Sequence, residues 1–129
     1  MKFTLGKIEQ ILSNPSLGTF LGKELPIAAA FDLTKIVRAM DVEFKLYQEK
    51  KKELLTKYAE TDDEGNYVIN GANVKLKEGT GDKFTNDMEE LRGVAVKLSG
   101  CKKIKLKSTA LPKVSALEIE AVYDLVTLV

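Results

Sequence analysis

Between residues 33 and 58 the apolar side chains return at alternating four- and three-residue steps. The series is Leu33, Val37, Met40, Phe44, Tyr47, Leu54 and Tyr58, and only Lys51 interrupts it. This a/d heptad predicts a long helix with a narrow seam for another helix. A shorter series, Phe84, Met88, Leu91, Ala95 and Leu98, predicts a second helix over residues 83–98, with Asp82 as its N-cap. Gly93 falls inside that helix, where it costs about 1 kcal/mol relative to alanine and admits a close approach to the first helix. Ser99-Gly100 ends it. The two series together predict a helical hairpin.

The flanking segments supply smaller elements. Residues 1–5 alternate, with Phe3 and Leu5 on one face, and predict a short strand. Ile8, Ile11 and Leu12 suit a short amphipathic helix that stops at Ser13-Asn14-Pro15, and Leu17, Phe20 and Leu21 form an apolar connector. Leu25-Pro26 opens the main helix over residues 27–59, a span of about 50 Å at 1.5 Å per residue. Its first turns, residues 27–31, are apolar on all sides and are expected to lie beneath the N-terminal segment. Its later turns carry Lys45, Glu49, Lys50, Lys51, Lys52, Glu53 and Lys57, which read as a solvated face.

Thr61-Asp62-Asp63-Glu64-Gly65 stops the main helix. Asn70-Gly71, set between β-prone runs, predicts a hairpin with both residues in the turn. Gly79-Thr80-Gly81 is a joint into the second helix. Residues 102–107 alternate cleanly and predict an edge strand with Ile104 and Leu106 inward and lysines outward, where lysines also discourage unwanted pairing. Pro112 punctuates the loop that follows. Ser115 with Glu118 forms a capping box, and Val114 with Ile119 the matching hydrophobic staple, so a last helix begins there. From Leu117 to the final Val129 only Glu118, Glu120, Asp124 and Thr127 are polar. A helix this apolar needs burial on more than one side, beside the hairpin or on another subunit. The fold expected is a single α+β domain over residues 1–129: a long helical hairpin with an inserted β-hairpin, a short N-terminal strand, a basic edge strand and an apolar C-terminal helix.

Composition narrows the chemistry. Net charge is +1, so no global field draws in nucleic acid or an anionic membrane. All 20 basic residues except Arg38 and Arg92 are lysines, which leaves few planar forks for reading phosphate or guanine. Histidine is absent, which removes imidazole bases, triads and most zinc sites. Cys101 is the single cysteine: it has no disulfide partner and no activating base, and reads as a small semi-buried residue at a helix end. One thiol and no secretory signal pattern read as a chain made in a reducing cytoplasm. Asp62, Asp63, Glu64 and Asn66 are rich in oxygen, but an EF-hand counted from Asp62 would need glycine where Tyr67 stands and glutamate where Asn73 stands. A helix-ending turn is the simpler reading. Gly79-Thr80-Gly81-Asp82-Lys83 lacks the phosphate-loop pattern and reads as a linker. The lysines of residues 102–107 could meet phosphates, yet no aromatic residue interleaves them for base stacking.

Leu25-Pro26, Ala30, Leu33, Lys35, Glu43, Leu54-Leu55, Tyr58, Gly65-Asn66-Tyr67 and residues 111–126 stand in an order that resembles a family of small, uncharacterised proteins from tailed bacteriophages and prophages. The resemblance implies a phage origin and a role in the virion or its assembly, and it carries over no catalytic residue. The expectation is a non-enzymatic phage protein acting through protein–protein contacts, without cofactor or metal, in the virion or the host cytoplasm. Its partners would be other phage structural proteins or further copies of itself, with no membrane. The expected contact residues are Leu117, Val122, Tyr123, Leu125 and Val126 on the last helix, with Lys103, Lys105 and Lys107 on the edge strand. The alternatives are a small phage-encoded inhibitor of a host defence or polymerase factor, and a weak nucleic-acid binder using residues 102–107.

Overall fold

The N-terminal segment makes strand β1 (Lys2–Thr4) and helix α1 (Leu5–Ser13), and the Thr4 side chain caps the helix by accepting from the Lys7 amide. Asn14 ends α1 and starts α2 (Pro15–Leu21): its side chain accepts from the Ser16 amide, while Pro15 fills the first helical position. The stretch expected to be a connector is therefore a helix, and it buries Leu17 and Phe20. The computed structural model describes residues 1–111 and 113–129, so the expected break at Pro112 lies outside the described residues.

Helix α3 (Ile27–Tyr58) begins directly after Pro26 and is 32 residues long. The heptad seam is visible in its burial. Leu33, Met40, Tyr47 and Tyr58 are buried, and Val37, Phe44 and Leu54 are half-buried. Ile36 joins them. Lys51 is tolerated in the seam because it meets Glu9 of α1 at 2.8 Å and lies 5.0 Å above the Tyr47 ring. A hairpin follows, β2 (Ile69–Asn70) with β3 (Asn73–Val74). Asn70 pairs with Asn73, so the two turn residues are Gly71 and Ala72. Only Gly71 has positive φ, at 65°, the pattern of a II′ rather than a I′ turn.

Helix α4 (Gly81–Arg92) returns along α3. Tyr58 Oη donates to Asp87 Oδ2 at 2.6 Å, and the Tyr58 and Phe84 rings meet edge to face. The hydrogen bond to Asp87, with burial, raises the Tyr58 hydroxyl above its ordinary value. The helix is shorter than its apolar series suggested. Gly93 is its C-cap, Thr80 rather than Asp82 is its N-cap, and the chain goes on as β4 (Ala95–Lys97), antiparallel to β1 with Phe3 opposite Val96. The β-branched Val94 and Val96 gain more from pairing with β1 than from another helical turn.

Strand β5 (Ile104–Leu106) turns Ile104 and Leu106 into the core and leaves Lys105 exposed. A 3₁₀ turn (Ser108–Ala110) leads toward α5 (Ala116–Val122), which opens with the expected Ser115–Glu118 capping box. The apolar tail is not helical throughout. After Tyr123 it becomes β6 (Val126–Leu128), parallel to β5 with Lys105 opposite Thr127. Parallel neighbours need a crossover of about a dozen residues or more, and α5 lies in that crossover. Among the described residues the architecture is thus five α-helices and three two-stranded sheets, an α+β arrangement.

One core joins these pieces. Ile8, Ile11, Phe20, Leu33, Ile36 and Met40 meet Ile104, Leu106, Val122 and Leu125 around the first half of α3. Glu118 sits at the edge of this core, with Lys23 Nζ 3.1 Å from its Oε2. Burial pushes the Glu118 carboxyl up. The Lys23 ammonium and the Ser115 amide and hydroxyl outweigh burial and hold it below its ordinary value of 4.5. A carboxyl depressed by folding contributes stability above pH 4.5 and loses it as pH falls through its lower folded value. Glu118→Gln keeps a capping acceptor but not the charge. Thermal melts are expected to place it below wild type near neutrality, with the gap closing as the pH drops under 4.5.

Candidate functional site

Two surfaces stand apart from the core. The first is a cleft of about 490 Å³ between the opening turns of α3 and strand β5. Pro26, Ala28 and Asp32 form one wall, and every residue from Gly100 to Lys107 lines the other. A strand contributes residues of both faces to a cleft only where the cleft runs along its edge. The hydrogen bonds agree. The Ile104 amide donates to the Leu125 carbonyl, Leu106 accepts from the Val129 amide, and the Ser108 amide donates to the Val129 carbonyl. Residues 104, 106 and 108 therefore address β6, and Lys103 and Lys105 turn their backbone groups the other way. Among the described residues the Lys105 amide and carbonyl have no partner.

Charge in the cleft is one-sided. Lys35, Lys102, Lys103, Lys105 and Lys107 line it, and Asp32 is the one acid among its lining residues. Among the described residues none of these six joins an ion pair. Lys103 has a different companion: its ammonium lies 5.2 Å above the Tyr123 ring. Gly100 takes a φ of +76°, and Lys35 Nζ lies 3.7 Å from where a Cβ would stand, so the lysine reaches across one end of the cleft. Cys101 is buried in the cleft wall, beyond β4 rather than at a helix end. Asp62, in the acidic loop, spends its Oδ1 on the Glu64 and Asn66 amides, as a turn-forming aspartate does. Among the described residues no three histidine, cysteine, aspartate or glutamate side chains gather where they could hold a metal ion. Among them, too, no helix is long and apolar enough to cross a membrane.

The second surface is a row on α3 that the heptad pattern did not reveal. Ile27 is 88% exposed, Phe31 69%, Val42 68% and Leu46 51%. At 3.6 residues per turn these four fall within an arc of about 100°, roughly opposite the core-facing seam. The expectation that residues 27–31 lie beneath the N-terminal segment is overturned for Ile27 and Phe31. Helix α1 packs on the other side of α3, in the core that holds Ala29, Leu33 and Ile36, and α2 packs on α5. The signal was present in the sequence, since Phe31 and Val42 are eleven residues apart and eleven residues are close to three full turns.

The expected contact residues divide. Leu117 and Tyr123 are exposed, as are Lys103, Lys105 and Lys107. Val122, Leu125 and Val126 are not available to a partner, because they fill the core between α3 and the β5–β6 pair. The tail's alternation, with Val126 and Leu128 inward and Thr127 outward, is that of a strand. No protein-family model, no curated protein and no solved structure matches this chain.

Proposed function

We propose that this is a non-enzymatic bacteriophage protein that works by protein–protein contact, as a minor virion component or an assembly factor. The observation that carries the contact role is the outward row on α3. A helix whose seam is already buried gains nothing from a second apolar face unless something covers it. The spacing of the row suits a second copy of the chain. Steps of four, eleven and four residues read the same in both directions. An antiparallel two-fold pairing of α3 sets Ile27 against Leu46 of the other copy, and Phe31 against Val42. In that register Lys35 falls opposite Arg38 of the other copy and Asp32 opposite Asp41, so the charged centre opposes the pairing and the attraction comes from the two apolar ends. The phage setting rests on the resemblance in element order.

Mass spectrometry of purified virions tests the setting. The protein is expected in fixed stoichiometry with the capsid or tail proteins. Presence only in assembly intermediates supports the assembly-factor version. Absence from both, with one stoichiometric host protein recovered from lysate on the tagged chain, replaces this reading with that of a host-factor inhibitor.

A further inference from the structure

We propose that the cleft beside β5 takes an extended acidic peptide, which adds to the β5–β6 pair as a third strand. This inference goes beyond the contact role assigned to α3, and its cleft adjoins that face at Lys35. Three observations carry it. The outer edge of β5 is unpaired at Lys105, so an incoming strand finds a donor and an acceptor already in place. The cleft runs along that edge, with the first turns of α3 as its opposite wall. Five lysines line it against one aspartate, with no ion pair among the described residues to neutralise them.

The geometry also specifies the occupant's pattern. Lys103, Lys105 and Lys107 share one face of the strand, while Ile104 and Leu106 share the other. Neighbouring strands match side chains face to face, so acidic residues at alternate positions of the peptide meet the lysines. The residues between them turn toward Pro26 and Ala28, which favour small apolar side chains. A segment alternating Asp or Glu with Val or Ala fits both requirements. A nucleic acid would satisfy the lysines and leave the backbone edge unused.

The test is fluorescence anisotropy of the full chain with a labelled peptide, Asp-Val-Glu-Val-Asp, blocked at both ends. Saturable binding with a Kd of about 1 mM or tighter is expected, weakening as salt rises. Methylating the peptide backbone nitrogens that face β5 should weaken binding by about tenfold or more, and so should Lys103→Glu with Lys105→Glu and Lys107→Glu. Those lysines are exposed, so the triple variant is expected to keep the wild-type melt, and circular dichroism verifies that it does. Scrambling the peptide so that its acids form a block should also weaken it. Absence of saturable binding overturns the proposal. Binding indifferent to N-methylation reduces the site to charge attraction and equally overturns strand addition. A single-stranded oligonucleotide of equal charge that displaces the peptide at lower concentration assigns the lysines to nucleic acid instead.

Discussion

Leu125→Ala should destabilise the protein by about 2–5 kcal/mol, a large share of the roughly 5–15 kcal/mol that holds a domain of this size together. Leu125 is 0% exposed and packs in the core that also holds Ile8, Phe20, Leu33 and Met40. Its truncation loses the transfer energy of the removed carbons and leaves a cavity that the surrounding helices fill only in part. Leu117→Ala supplies the contrast. Leu117 belongs to the same apolar tail but is 71% exposed, and its truncation should stay within about 0.5 kcal/mol. Denaturant unfolding of both variants measures the difference directly. Equal effects would mean that the tail is not anchored as β6 beneath α3.

That pair of variants also shows what the sequence made legible in the tail and what it did not. The capping box at Ser115 and Glu118 is a local device, readable from two residues three apart, and it fixes the start of α5. The end of α5 is a tertiary matter. Only Asp124 and Thr127 interrupt the apolar residues of 121–129, a stretch too short for period alone to place the change from helix to strand, and the deciding term is pairing with β5 some twenty residues earlier. The same competition moved the end of α4. Ala95 and Leu98 continue the helical spacing of Phe84, Met88 and Leu91 by coincidence, while β1 waits about ninety residues upstream as a partner for Val96. Helix α3 needed no such information, because its seam repeats over most of its 32 residues. Its outward row lies on the opposite face from the a/d seam, so the heptad spacing carries no sign of it.

Phe20→Ala is the second large effect, expected at about 3–5 kcal/mol for an aromatic core residue. It examines α2, the element the apolar pattern alone did not reveal as a helix. Phe20 is 1% exposed, and α2 lies against α5, so losing its ring loosens the packing between these two helices. The signal for α2 was present at Asn14-Pro15-Ser16, where an asparagine cap precedes a proline at the first helical position. A seven-residue helix cannot stand on propensity, so its stability must come from the side chains it buries. A Phe20→Leu variant recovers most of the volume and should recover most of the stability. If both variants melt with wild type, α2 is not docked as described.

The cleft was half legible. Lys103, Lys105 and Lys107 stood out as an alternating basic run, and the structure leaves all three exposed. What could not be read is that Lys35 and Asp32, nearly seventy residues away on α3, line the same cleft. It was also not legible that β6 would occupy one edge of β5 and leave Lys105 unpaired on the other.

Sedimentation equilibrium on the purified chain, beside Phe31→Glu with Val42→Glu, bears most directly on the proposal that α3 presents a contact face. Both residues are exposed, so the double variant is expected to fold and melt as wild type does. The wild-type protein should sediment at twice its chain mass of 14.3 kDa, and the double variant at 14.3 kDa. A wild-type chain that remains at 14.3 kDa at every concentration, or a double variant that dimerises as wild type does, would contradict the pairing of α3.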